Sequence, residues 1–289
     1  MTMQSLSKSI YHNVNYFKAY DTLISHITNK DEVVQLWTEQ WKTIMKNISF
    51  NPNEGNPIRM LKIGAGDGNH EIGMAKCLLA VHPDVHIKII EPKEVQLQLC
   101  KKTAMDFATS SPGLTFDWHN VTFEKYMTDQ RETDVGSFHI VVSCHVLCYL
   151  NLVWAIDSMY SMARTDGVVV NTMVTGDSTF GLVGKLFTKL TGCGKHHQHS
   201  DDALGYLETK TGKIKRNSRE FTVDVTDCFN DSSEEGSLLL DFMTQRTDFR
   251  RNAPGNVKKS IMNVLRENTI EKEGMALTRV REEDLVLIK

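Results

Sequence analysis

Apolar residues recur along the chain at two spacings. Near the amino terminus the spacing is helical. Tyr16, Tyr20 and Leu23 share one face of residues 11–26, and Val33, Trp37, Trp41, Ile44 and Ile48 share one face of residues 31–48. Asn29 stands just before the second stretch, where such a side chain commonly caps free helix N–H groups. After the turn-rich segment SFNPNEGNP the pattern changes to short apolar runs separated by helical stretches. Strands are predicted at 58–63, at the apolar run ending before Glu91, and at 114–119, 138–143 and 167–174. Helices are predicted at 69–80, 94–108 and 151–164. The run FHIVVS is apolar throughout, as in a strand covered on both faces of a parallel sheet.

This alternation predicts an α/β fold with a doubly wound, Rossmann-like sheet. The last third is less regular. Residues 176–191 read as a helix, CGKHHQHSDD as a loop, and LLLDFMTQR and NVKKSIMNVLREN as helices. The segments FTVDV and DLVLI are expected to add an antiparallel edge to a mostly parallel sheet. The expected layout is one domain: a helical substrate lid over 1–57, a cofactor-binding core over 58–175, and a small insert with carboxyl-terminal strands and helices over 176–289.

Composition narrows the picture in a few respects. The chain has 289 residues, 40% of them hydrophobic, enough for a substantial core. Its 33 basic and 36 acidic residues leave a net charge of −3, with no basic footprint for nucleic acid and no polybasic membrane patch. No run approaches the ~18 apolar residues of a membrane span, and the first residues lack the apolar centre of a signal peptide. Six scattered cysteines read as the reduced thiols of a cytoplasmic protein; a monomer is expected.

The candidate chemistry centres on IRMLKIGAGDGNHEIG. Gly64, Gly66 and Gly68 follow a predicted strand and open a predicted helix, and Glu91 ends the next strand, 27 residues after Gly64. Glycine permits φ > 0 and lets a ligand approach the backbone. An acid at the end of the second strand accepts hydrogen bonds from a ribose diol in Rossmann-type units. A dinucleotide turn would be G-x-G-x-x-G, but Asn69 occupies the third glycine's place. G-x-G-x-G followed by the acid suits a cofactor with an adenosine and no phosphate, such as S-adenosylmethionine. A plain strand–turn–helix without a ligand is the alternative.

Ligands of open α/β sheets bind beyond the carboxyl ends of the strands. The predicted site therefore joins the tips at 64–68, 91–96, 118–123 and 143–149. His145 lies on the last of these, and an imidazole can act as base, hydrogen-bond donor or acceptor near neutral pH. It is the candidate base or hydrogen-bonding group, the alternative being a histidine satisfied by nearby backbone. CGKHHQH offers one cysteine and crowded histidines but no second ligand pair, and DCFNDSSEEG lacks the ligand order of a calcium loop, so no metal is expected. The chain contains no Asn-Pro-Pro-aromatic motif, no G-x-S-x-G elbow and no Walker-type G-K-[ST].

Taken together, Tyr16…Tyr20…His26, LKIGAGDG, IIEPKEVQ, FDWH, Leu147-x-Tyr149, DVTDCFNDSSEEGSLLLDF and KEG at 272–274 resemble the histamine N-methyltransferase family over nearly the full length. The DCF…G-x-LL-x-DF segment is the most specific part. The resemblance implies a cytosolic S-adenosylmethionine-dependent N-methyltransferase acting on a small imidazole or amine. It implies cofactor contacts at Gly64, Gly66, Gly68, Glu91 and Gln96, a polar contact near Thr122 and Phe123, and an adenosine pocket lined by Cys144. Around the acceptor it implies an aromatic wall of Tyr16, Tyr20, Tyr149 and Phe242. The chain departs from the family on the acceptor side. Asn29 stands where the family has a glutamate that meets histamine, and His145 where it has a glutamine. Val280 or Arg281 falls where the family has an asparagine. An inward Arg281 would favour a carboxylate-bearing acceptor, such as a histidine derivative or small peptide.

Overall fold

The computed structural model describes residues 10, 15–46, 48, 56–129, 131–192, 198–210 and 212–289. Residues 11–14 of the first predicted helix, most of the connection at 49–57, and 193–197 of the histidine-rich loop lie outside the described residues. Two helices open the chain, α1 (Tyr16–His26) and α2 (Lys30–Met45). Then β1 (Ile58–Ile63), α3 (Asn69–Leu79), β2 (Val85–Ile90), α4 (Glu94–Ala108) and β3 (Leu114–His119) alternate. The short helices α5 (Phe123–Asp129) and α6 (Arg131–Asp134) lead into β4 (Phe138–Cys144), α7 (Leu152–Met162) and β5 (Ala163–Val174). Helices α8 (Thr179–Thr191) and α9 (Ser200–Leu207), strand β6 (Lys213–Asp224), and helices α10 (Glu234–Thr244), α11 (Phe249–Asn252) and α12 (Gly255–Glu267) follow. The chain ends in β7 (Thr269–Lys272) and β8 (Met275–Ile288).

The expected alternation from 58 to 174 is borne out, with differences where polarity hid an element. Helices α6 and α9 occupy RETD and SDDALGYL, segments too polar or too short to carry an apolar period. Strand β5 begins at Ala163, directly after α7, ahead of the apolar run at 167–174. Its first turn of sequence, Arg164–Thr165–Asp166, is polar, so only the later part reads as a strand.

The chain clusters into two compact units. The first holds Met1–Val33, Val174–Asp201 and Ser218–Glu282; the second holds Val34–Met173, Asp202–Asn217 and Glu283–Lys289. The eight-stranded sheet runs β3-β2-β1-β4-β5-β8-β6, with β7 paired to β8. β1 pairs in parallel with both β2 and β4, β2 with β3, and β4 with β5. β7 and β8 are antiparallel, joined by Glu273 and Gly274 at φ 53° and 80°. Two consecutive positive φ values are what a tight hairpin turn of the I′ kind demands. The sheet is thus mostly parallel with an antiparallel element, as expected.

In the second unit, alternate residues of each strand feed opposite cores. Met60, Ile87, Ile140, Val142, Val168 and Val170 join the cluster formed with α2, α3 and α4. Leu61, Ile63, Ile90, Val141 and Val169 join the cluster formed with α5, α7 and α9. Cover on both faces is why these strands are apolar in consecutive positions. Trp37 and Trp41 of α2 are part of the first cluster, and Gly73 of α3 makes room for Trp37: a Cβ there would lie 2.7 Å from its ring.

Strand β8 carries four charged residues in a row, each matched. Arg281 pairs with Asp177 and Glu282 with Arg219, both within the first unit. Glu283 meets Arg216 at 2.8 Å, and Asp284 accepts from Thr172 Oγ1 at 2.6 Å, both within the second. Burying unmatched charge would cost several kcal/mol per group.

The first unit has its own core, built from Leu23, Phe180, Val183, Phe187, Phe221, Val223, Leu239, Leu240, Ile261 and Val280 among others. Here the segment DCF…G-x-LL-x-DF acquires a physical reading. Ser233 caps α10 by accepting from the Gly236 N–H. A Cβ on Gly236 would fall 1.9 Å from the Asp227 carbonyl oxygen. Only glycine lets the helix start lie against the turn that carries Cys228. Alanine ordinarily favours a helix over glycine by about 1 kcal/mol. Gly236→Ala should instead destabilise the protein by about 1–3 kcal/mol through overpacking. Thermal unfolding checks this, and a raised melting temperature would refute the account.

Candidate functional site

The three glycines after β1 differ in what they do. Gly64 has φ +76°, and its N–H donates to the Ile90 carbonyl at 2.8 Å. A Cβ here would stand 2.4 Å from Cγ2 of Val146, which follows β4. Gly68 has φ +96° and begins α3, and its Cβ would meet Thr103 at 2.7 Å and the Cys100 carbonyl at 3.0 Å. Gly64 therefore serves the turn and its packing against Val146, and Gly68 its packing on α4. Gly66 is different: among the described residues a Cβ there would find only Glu71 Oε2, at 3.8 Å. Its outer side is open, so a ligand can reach the backbone at that point.

Glu91 directly follows β2 and is only 6% exposed. Its Oε2 accepts from the Ala65 N–H at 2.9 Å and its Oε1 from the Lys93 N–H at 2.8 Å. Burial pushes its carboxyl pKa up, while these two N–H groups and Lys62 act to lower it. The backbone around it is also fixed: its N–H donates to the His119 carbonyl, and its own carbonyl accepts from Asn120 Nδ2 at 3.0 Å. A carboxylate can accept about four hydrogen bonds. Two used by the backbone leave capacity for the paired hydroxyls of a ribose. Gln96 braces the same turn, its Nε2 donating to the Gly66 carbonyl.

An adenosine-bearing cofactor fits these groups. The open face of Gly66 is the approach that a Cβ would fill. The first turn of α3 offers N–H groups, and Glu91 is a held but unsaturated acceptor. Trp37 covers His70 of that first turn, the rings stacked at 4.9 Å and 18°.

The other expected cofactor-side residues lie on neighbouring strand tips of the second unit. Thr122 is exposed, and its Oγ1 accepts from the Lys125 N–H, capping α5. Phe123 is buried, edge-on to Trp154 at 5.3 Å, and belongs to the core. Cys144 ends β4, half-buried, with Thr172 Oγ1 at 3.6 Å from its sulfur. His145 is exposed and holds φ 54°, its N–H donating to the Thr172 carbonyl at 2.9 Å. A non-glycine residue at positive φ costs of order 1–3 kcal/mol and is concentrated at functional sites. Tyr149 is half-buried in the short 3-10 turn Leu147–Tyr149. β1 lies between β2 and β4, so the tips carrying Gly64, Glu91, Cys144 and His145 are adjacent at the point where strand order reverses.

The remaining expected residues lie in the first unit. Tyr16 and Tyr20 of α1 contact Phe242 of α10, with ring centroids 6.3 and 6.1 Å apart. Asn29 precedes α2 as expected, but its Oδ1 accepts from the Thr222 N–H of β6 at 2.9 Å, and its Nδ2 reaches Glu32 at 3.5 Å. The oxygen expected to cap the helix is therefore committed to a strand. Val280 is in the core, and the next residue, Arg281, pairs with Asp177. That guanidinium holds the Asp177 carboxyl down to about 2. Arg281 thus carries its own carboxylate partner within the fold.

Three residues of the turn region are not singled out by the sequence: Asn120, Lys62 and Glu71. The visible signal for Lys62 is a lysine between two apolar residues of a strand, Leu61 and Ile63. For Asn120 and Glu71 the spacing says nothing.

No family model matches the chain. It is 25% identical over 270 residues to histamine N-methyltransferase of Cavia porcellus, covering 91% of each chain. It is 24% identical over 284 residues to the enzyme of Bos taurus, covering 95% of this chain and 96% of that one. Carnosine N-methyltransferase 2 of Gallus gallus is 24% identical over 258 residues, 86% of this chain and 78% of that one. Among solved structures, the plantazolicin methyltransferase BpumL in complex with SAH superposes over 99% of this chain and 95% of that one, with TM-score 0.49 and 9% identity. That likeness is too loose to add to the argument. Across nearly its whole length the chain is similar to the histamine N-methyltransferases, and it is an S-adenosylmethionine-dependent methyltransferase.

Proposed function

We propose that this enzyme methylates a nitrogen of a small imidazole or amine compound, histamine-like or a histidine derivative. The observation that carries the cofactor half of this reading is Glu91: a buried carboxylate, oriented by two backbone N–H groups beside an open glycine. The acceptor half is supported by the ring cluster of Tyr16, Tyr20 and Phe242 and by the likeness to enzymes named for histamine and carnosine. Aromatic faces hold an imidazole by stacking and a cation through the ring quadrupole.

Bound at the turn, S-adenosylmethionine supplies an electrophilic methyl group on a sulfonium. The residues of the chain then have two tasks. Gly66, Glu91 and Gln96 fix the adenosine end, and His145 helps present the acceptor's nitrogen lone pair in line. An imidazole with a pKa of roughly 6.5 is mostly neutral at pH 7, so its lone pair is available without a strong base. His145 is assigned to orient the acceptor and take up its proton. An acceptor bearing a carboxylate is a second reading. Asn29 is neutral where the resemblance implies an acid, which removes a partner for an ammonium group.

Two substitutions separate the two halves of the site. Glu91→Ala removes a charge-assisted acceptor whose hydrogen bonds are worth about 1.5–3 kcal/mol. It should weaken binding of S-adenosylhomocysteine at least tenfold in calorimetric titration. His145→Ala should lower kcat about tenfold or more while leaving that affinity at the parent value. Lost cofactor affinity in His145→Ala would refute its assignment. A panel of histamine, histidine, carnosine and amines without a ring, assayed with labelled S-adenosylmethionine, should show methyl transfer to the imidazole compounds. Transfer confined to ring-free amines would refute the imidazole reading.

A further inference from the structure

We propose that Lys62 and Glu71 form a buried charged brace that sets the orientation of the Gly64–Ala65 peptide, making them positioning residues for the cofactor. This rests on the reading of the glycine turn as the S-adenosylmethionine site. Lys62 lies in β1, 2% exposed, between the apolar Leu61 and Ile63. Burying an ammonium group is costly unless it is matched. It has two partners: Nζ donates to the Gly64 carbonyl at 2.6 Å and faces Glu71 Oε1 at 3.4 Å.

Glu71 is the third residue of α3 and is wholly buried. Neither of its carboxylate oxygens takes a hydrogen bond from the described residues. Its charge is balanced by the Lys62 ammonium and by the positive end of α3. A buried pair of this kind is weak evidence for stability, because apolar residues of similar volume often serve as well. Its presence beneath the turn therefore asks for another reason.

The peptide geometry supplies one. The Gly64 carbonyl and the Ala65 N–H belong to a single planar unit, and they point in opposite directions. Lys62 holds the carbonyl, and the N–H donates to Glu91 Oε2 at 2.9 Å. Gly64 is the residue of least conformational restraint, so this peptide is the one most free to rotate. Released from Lys62, it can turn and withdraw the N–H from Glu91, leaving that carboxylate misdirected. Glu71 in turn keeps Lys62 in place, and its Oε2 lies 3.8 Å from where a Cβ on Gly66 would stand. The chain of contacts thus runs from Glu71 through Lys62 and the peptide to the acceptor of the ribose.

The double variant Lys62→Met with Glu71→Leu removes both charges and keeps apolar volume. It is expected to melt close to the parent, to bind S-adenosylhomocysteine at least tenfold more weakly, and to show a raised KM for S-adenosylmethionine. Its kcat should return to the parent value at saturating cofactor, a split that general loosening of the fold would not produce. Glu71→Gln keeps the shape of the site and loosens the hold on Lys62, so a rise of about threefold in the same dissociation constant is expected. Parent-like affinity in the double variant, or in Glu71→Gln should the double variant not fold, overturns the brace. A parent protein that does not bind S-adenosylhomocysteine overturns instead the reading on which the brace rests.

Discussion

A carboxylate buried at the end of a central strand has to be given hydrogen bonds, and much of the second unit is arranged to give them to Glu91. Its two oxygens take N–H groups from Ala65 and Lys93, on either side of the gap between the β1 and β2 tips. The first of these requires Gly64 at positive φ, which requires the absence of a side chain beside Val146. The neighbouring carbonyls are tied down by Lys62 and Gln96. Each contact restricts the next, so the acceptor is oriented before any ligand arrives. Preorganisation of this kind lowers the entropic cost of binding.

The sheet places this arrangement. Because β1 has parallel neighbours on both sides, the chain leaves its carboxyl end toward a helix while β4 begins the return on the other side. A crevice at the strand tips follows from that reversal of order. Apolar cover on both faces keeps the strands rigid, and the polar groups gather where the strands end. His145 shows the same economy of placement. Its backbone is held by the Thr172 carbonyl in a conformation that non-glycine residues avoid, and its imidazole is exposed.

In the first unit, local rules account for two of the segments that resemble the methyltransferase family. Gly236 is dictated by the approach of a helix start to the Asp227 carbonyl, and Glu273-Gly274 by the demand of a tight hairpin for positive φ. Asn29 and Arg281, where the chain departs from that family, are each engaged within the fold, by Thr222 and Asp177. A carboxylate approaching Arg281 meets a guanidinium already neutralised. That weakens the case, drawn from the resemblance, for an acid-bearing acceptor chosen by this arginine.

Hydrophobic period and turn chemistry act over a few residues, and they were enough to place β1 to β5, the helices between them, the glycine turn and Glu91. They also implied a parallel sheet, since strands separated by helices can pair in no simpler way. What they could not decide was pairing across long separations. Thr222 lies 193 positions from Asn29 and Arg281 lies 104 from Asp177. No local pattern encodes which of many acids or amides will meet. The same is true at short range for Lys62 and Glu71, nine residues apart on a strand and a helix. In the sequence they are a stray lysine and an ordinary first-turn acid. Only the packing of α3 against β1 puts them together beneath the turn from Gly64 to Gly68, where a charge in a buried strand becomes a hold on one peptide.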